Sequence, residues 1–142
     1  MNSDFANNHK NEFQCLIVEG NIRAAEILVM FLERNGIASV TAENGRAGLQ
    51  MYFDNPLKYD MILIDLQMSA TDGYEMTKRI RESGVSHSSA IPIVAMSSIY
   101  IGDVSEKGGF DCFRRKPFEL EGGLRCIPNL PILCICRSFL PL

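Results

Sequence analysis

At 142 residues, with 46% hydrophobic and 22% charged side chains, the chain has the size and make-up of one soluble globular domain. That excludes a disordered tail, a collagen-like repeat or a disulfide scaffold. A net charge of −3 argues against direct nucleic-acid binding, which draws on clustered Lys and Arg. No run approaches the ~20 apolar residues of a membrane span, and the polar tail 1–12 lacks the apolar core of a signal peptide, so no membrane contact and a cytoplasmic location are expected. The five cysteines (Cys15, Cys112, Cys126, Cys134, Cys136) are odd in number and irregularly spaced, which suits reduced thiols. Cys126, Cys134 and Cys136 lack the histidine or second Cys-x-x-Cys of a metal site.

In chain order, residues 13–18 (Phe-Gln-Cys-Leu-Ile-Val) form an apolar run suited to a strand buried on both faces. Asn21 caps a helix whose apolar stripe is Ile22, Ala25, Leu28, Val29 and Leu32, and Asn35-Gly36 stops it. A short strand follows at 38–42. Asn44 opens a second helix (Ala47, Leu49, Met51, Tyr52), which proline stops at Asn55-Pro56. Residues 61–64 are a third strand ending at Asp65. A loop leads to Asp72-Gly73 and a third helix through Tyr74, Met76, Ile80 and Arg81 to Gly84. Residues 91–96 are the fourth strand, its proline at the strand start where a missing donor is tolerated. Residues 99–109 carry only a weak helical pattern, and 111–114 suit a short fifth strand. Strands alternating with helices in this way predict βαβ units, hence an α/β parallel sheet with helices on both faces.

Ligands of such sheets sit at the C-terminal ends of the strands. Four polar residues fall there: Glu19, Asp65, Ser97 and Lys116. The segments around them are Leu-Ile-Val-Glu-Gly-Asn (16–21), Thr-Ala-Glu-Asn-Gly (41–45), Met-Ile-Leu-Ile-Asp-Leu-Gln-Met (61–68), Asp-Gly-Tyr-Glu (72–75), Ile-Pro-Ile-Val-Ala-Met-Ser (91–97) and Arg-Lys-Pro-Phe (115–118). In order and spacing this set resembles the response-regulator receiver family over about residues 13–120.

The resemblance implies a doubly wound, flavodoxin-like, five-stranded parallel sheet in the order 2-1-3-4-5. It implies a phosphorelay module in which Asp65 accepts phosphoryl from a histidine kinase or a histidine-phosphotransfer protein. Catalysis is then limited to the module's own phosphorylation and dephosphorylation. Mg²⁺ would be held by Glu19, Asp65 and the backbone carbonyl of Gln67. Lys116 would bind a phosphoryl oxygen, Ser97 would be the switch hydroxyl, and Phe113 the aromatic that moves with it. A carboxylate nucleophile, a cation and a lysine are what transfer of a charged phosphoryl group needs. Each residue also has a structural reading: Asp65 as a loop cap, Ser97 on a backbone group, Lys116 as a surface charge, Phe113 as core. Taken singly, that reading is stronger for Ser97 and Phe113; Asp65 and Lys116, together within the matched segments, favour function.

Departures are as informative. The family has two adjacent acids after its first strand; here Glu19 is followed by Gly20, which offers no side-chain oxygen, so weakened Mg²⁺ binding is expected. Ser69 stands where the family has proline, the stretch between Ser97 and Lys116 is short, and Gly122, Gly123 and Pro128 leave the last helix poorly formed. The chain thus divides into a polar tail 1–12, a receiver domain 13–121 and an atypical apolar segment 122–142. That segment either folds back over the sheet, pairs with another copy or reflects an altered C-terminal reading; an uncovered apolar surface predicts a homodimer or an aggregation-prone monomer. Two further classes compete. Gly20 favours a pseudo-receiver, the same fold kept for protein binding with phosphorylation lost. A flavin- or nucleotide-binding protein would need a phosphate loop after the first strand, which acidic, singly glycine-bearing 19–23 does not supply.

Overall fold

The computed structural model describes residues 13–67, 73–97 and 109–115. Five strands, β1 (Gln14–Val18), β2 (Ala38–Ala42), β3 (Met61–Asp65), β4 (Ile93–Ser97) and β5 (Cys112–Arg115), form one parallel sheet in the order β2-β1-β3-β4-β5. Three helices are described: α1 (Ile22–Arg34), α2 (Gly45–Asp54) and α3 (Gly73–Glu82). Fold class and strand order are those the sequence led us to expect.

Alternation of side chains along each strand divides the core in two. Leu16, Val18, Ile62, Ile64, Ile93 and Ala95 pack with Leu49 and Tyr52 of α2 and Met76 and Ile80 of α3. Cys15, Ile17, Met61, Leu63, Val94 and Met96 share the other cluster with Leu28, Phe31 and Leu32 of α1. Both faces of β3 and β4 are therefore buried throughout, which is why these strands read as unbroken apolar runs.

Local chemistry sets the helix ends. Asn21 Oδ1 accepts from Ala24 N at 3.0 Å and Asn44 Oδ1 from Ala47 N at 2.8 Å, satisfying donors that the first turn leaves unpaired. At the end of α1, Ile37 N donates to Leu32 O (2.8 Å) and Gly36 N to Glu33 O (3.0 Å), with Gly36 at φ 73°, a Schellman motif. After α2 a 3₁₀ turn, Pro56–Lys58, is too short to show a periodicity in the sequence.

The stripe expected on α1 needs correction. Ile22 is 76% exposed and Val29 only half-buried, whereas Phe31, absent from the expected stripe, is buried. Thirteen helical residues at about 1.5 Å each outrun a five-residue strand at about 3.3 Å each by about two residues, which leaves Ile22 at the helix start beyond the sheet while Ala25 is already buried. Pro92 and Asp111 lie just outside the strands expected to contain them. Pro92 contributes its carbonyl to Ile62 N (2.9 Å), and Asp111 Oδ2 accepts from Ile93 N (2.8 Å).

Arg81 ties α3 to the strand entrances. Its guanidinium donates to Gly109 O (3.0 Å), Ile91 O (2.6 Å), Ser88 O (3.3 Å) and Asp111 Oδ2 (2.8 Å). Lys116, Ser69, the fourth and fifth helices and the segment 122–142 lie outside the described residues. Among the described residues no helix is long and apolar enough to cross a membrane.

Candidate functional site

The C-terminal edge of the sheet brings together residues far apart in sequence. Val18 and Ile64 form the last rung between β1 and β3, so Glu19 and Asp65 are the next residues on neighbouring strands. Both are buried, at 4% and 5% exposure, although carboxylates are seldom placed so deep without a purpose. Asp65 Oδ1 accepts from Gln67 N at 2.9 Å, which turns the chain after β3 and brings the Gln67 backbone beside the carboxylate. Glu19 Oε1 accepts from Asn21 N at 3.2 Å, so one short loop fixes both this carboxylate and the cap of α1. Sequence reasoning took Asn21 for a cap alone; its second role was visible only as adjacency to Glu19.

On the next strand, Asp65 is in register with Met96, and Leu66 N donates to Met96 O at 2.8 Å, placing the fully buried Ser97 one step further on. Ser97 is in register with Arg115 and Ala95 with Phe113. Phe113 is half-buried and packs on the same core cluster as Ala95, so Ser97 and Phe113 share a face of adjacent strands. Lys116 follows Arg115 in the chain, and its placement lies outside the described residues. Glu19, Asp65, Gln67, Ser97 and Phe113 thus stand at or beside one strand edge, four of them at the loop ends.

Among the described residues no group of three or more His, Cys, Asp or Glu side chains converges as a metal-binding cluster. A donor set of Glu19, Asp65 and the Gln67 carbonyl still suits Mg²⁺, a hard ion commonly held by one or two carboxylates with water completing its octahedron. At Gly20 an added Cβ would lie 3.3 Å from Glu43 O, so a side chain there requires the facing loop to give by a few tenths of an ångström. Cys15 is wholly buried on β1. Burial raises its pKa above the usual thiol range, with the negative charge of Asp60 adding to it, and the group remains an unreactive thiol.

Residues 15–123 match the Response regulator receiver domain family. The chain is 32% identical over 117 residues to the peroxide stress-activated histidine kinase mak1 of Schizosaccharomyces pombe, covering 79% of this chain and 7% of that protein. It is 41% identical over 83 residues to the two-component response regulator ORR41 of Oryza sativa subsp. japonica, covering 56% of this chain and 62% of that protein. It therefore spans less than two thirds of either relative. Among solved structures, the receiver domain of the sensor histidine kinase PA1611 from Pseudomonas aeruginosa, with a magnesium ion in its active-site cleft, superposes with a TM-score of 0.72 at 22% identity over 84% of this chain and 97% of that one. The parallel sheet, its strand order and these likenesses agree: the chain belongs to the response regulator receiver family and is a receiver domain of two-component phosphorelay signalling.

Proposed function

We propose that Asp65 is the phosphoacceptor of this receiver, charged by a phosphohistidine on a histidine kinase or a phosphotransfer protein. The observation that carries this is the burial of the Asp65 carboxylate at the end of β3, next to Glu19 across the strand pair and held by the Gln67 amide. A carboxylate oxygen of Asp65 forms the new O–P bond while the P–N bond of the donor breaks. The imidazole nitrogen leaves with the electron pair and takes up a proton. The product is an acyl phosphate.

Each chain residue has a task in that reaction. The Gln67 N–H on Oδ1 orients the carboxylate so that its other oxygen is presented to phosphorus. Ser97, on the strand beside Asp65, offers a hydroxyl to a phosphoryl oxygen, and Phe113 on the same face responds to its movement. Lys116, which follows β5, supplies a compact positive charge to the same group. Glu19, Asp65 and the Gln67 carbonyl would hold Mg²⁺, which when bound would neutralise charge on the phosphoryl oxygens. Gly20 leaves this set one carboxylate short of the family pattern, so Mg²⁺ binds more weakly than in an ordinary receiver.

The test is incubation with acetyl phosphate and Mg²⁺, read by intact mass, alongside Mg²⁺ titration by calorimetry. One phosphoryl adduct is expected on the wild type and none on Asp65→Asn, with tighter Mg²⁺ binding in Gly20→Asp. An adduct that persists in Asp65→Asn refutes the assignment. Equal Mg²⁺ affinity in wild type and Gly20→Asp refutes the weakened site.

A further inference from the structure

Gly73 opens α3 with a helical backbone that other residues also adopt, so its glycine is explained by space and not by conformation. An added Cβ would lie 2.6 Å from Ile64 Cγ2, 2.8 Å from Leu66 Cδ2 and 3.5 Å from Asp65 O. The first two separations fall well inside the roughly 3.5 Å at which carbon atoms meet. The first turn of α3 therefore rests directly on the residues that bracket the Asp65 carboxylate.

Neither side of this contact gives way cheaply. Ile64 is fully buried, paired with Val18 on one side and Ala95 on the other, and its Cγ2 branches from a stiff β-carbon. Leu66 is held by its amide, which donates to Met96 O at 2.8 Å, while its side chain packs on the core cluster shared with Met76 and Ile80. On the helix side, Thr77 Oγ1 donates to Gly73 O at 2.7 Å, and Met76 and Thr77 are wholly buried. A side chain at position 73 has to lift the start of α3 off the end of β3 or push Leu66 aside. Leu66 lies between Asp65 and Gln67, whose N–H donates to Asp65 Oδ1 at 2.9 Å. Displacing Leu66 turns the peptide that carries this donor, and the carboxylate loses its fixed orientation.

We propose that Gly73 is a positioning residue for phosphoryl transfer, acting through Leu66 and the Gln67 amide on the Asp65 carboxylate. The proposal rests on Asp65 being the phosphoacceptor. The missing side chain lets α3 close on the end of β3, and that closure braces the turn 65–67 before any phosphodonor arrives.

Two variants of the full chain test this: Gly73→Ala, and Leu66→Ala, which removes the same contact from the other side and keeps the test decisive where Gly73→Ala disturbs folding. Initial phosphorylation rates are followed by intact mass against acetyl phosphate concentration at saturating Mg²⁺. Arg81→Ala, loosened at the far end of the same helix, is the comparator. In both contact variants the maximal rate is expected to fall about tenfold or more, while the half-saturating acetyl phosphate concentration changes less than about twofold. In the metal-free protein, amide hydrogen exchange at Gln67 is expected to quicken about tenfold in both and to stay as in the wild type in Arg81→Ala, which also keeps the wild-type rate. Unchanged Gln67 exchange or a wild-type maximal rate in Leu66→Ala overturns the proposal, as does an equal loss of rate in Arg81→Ala. Where the wild type is phosphorylated at Asp65 and these results fail, only the bracing role of Gly73 falls. An adduct that survives Asp65→Asn removes the phosphoacceptor reading and this proposal with it.

Discussion

Gly36 shows how one residue fixes the direction of a chain. Its φ of 73° lets the last carbonyls of α1 close on Gly36 and Ile37, and Ile37 then drops into the core at 1% exposure. A Cβ in this left-handed conformation costs about 1–2 kcal/mol, so Gly36→Ala is expected to lower the stability by roughly 1 kcal/mol, measured by urea denaturation. Tyr52 adds a pH dependence. Burial raises its pKa above the ordinary phenol value despite the hydroxyl contact with Ser88 at 2.6 Å, and burial raises that of Tyr59 too. Below about pH 10 both folded and unfolded chains keep these protons. Above it the unfolded chain loses them first, so stability should fall as pH rises through the window up to the folded values. Urea midpoints followed from pH 9 upward, in about half-unit steps, check this; a Tyr52→Phe variant is expected to show a shallower fall.

At the scale of elements, two arginines two residues apart on α3 make unequal contributions. Arg79 pairs with Glu75 at 2.7 Å, but their side chains are 61% and 50% exposed, and such i,i+4 pairs contribute only about 0.3–0.5 kcal/mol. Arg81, at 16% exposure, serves three carbonyls and Asp111, which in turn holds the Ile93 amide. Arg81→Ala is therefore expected to cost about 2 kcal/mol and Arg79→Ala less than about 0.5 kcal/mol by thermal or chemical denaturation. None of Arg81's role was legible beforehand. The sequence marked it as one more position on a helix, because its partners come from Ser88, Ile91, Gly109 and Asp111, which no periodicity connects to it. The helix caps and central strands were legible for the opposite reason: Asn21, Asn44 and the run 61–65 act through neighbours a few residues away or through burial on both faces. Ile22 misled because periodicity assigns a helical face without saying where the underlying sheet ends. At the site, Glu19, Asp65 and Ser97 could be placed from strand ends alone, whereas the second function of the Asn21 amide needed the loop's shape.

For the whole molecule, the parallel arrangement also governs how the chain reaches its fold. Every rung of the sheet joins strands separated by a helix or a long connection, and β1 alone must engage both β2 and β3. Among the described residues no hairpin is available as an early local nucleus, so loop-closure entropy must be overcome before pairing of these strands contributes stability. The transition state should therefore be organised around β1, with the opposite margin of the sheet joining late. In stopped-flow chevrons, Ile17→Val is expected to slow refolding, while Phe110→Leu, beside β5, chiefly hastens unfolding. The reverse pattern would place the nucleus at the other side. A module assembled in this sequence consolidates its β4–β5 margin last and loosens it first, the margin to which the proposed function assigns Ser97 and Phe113.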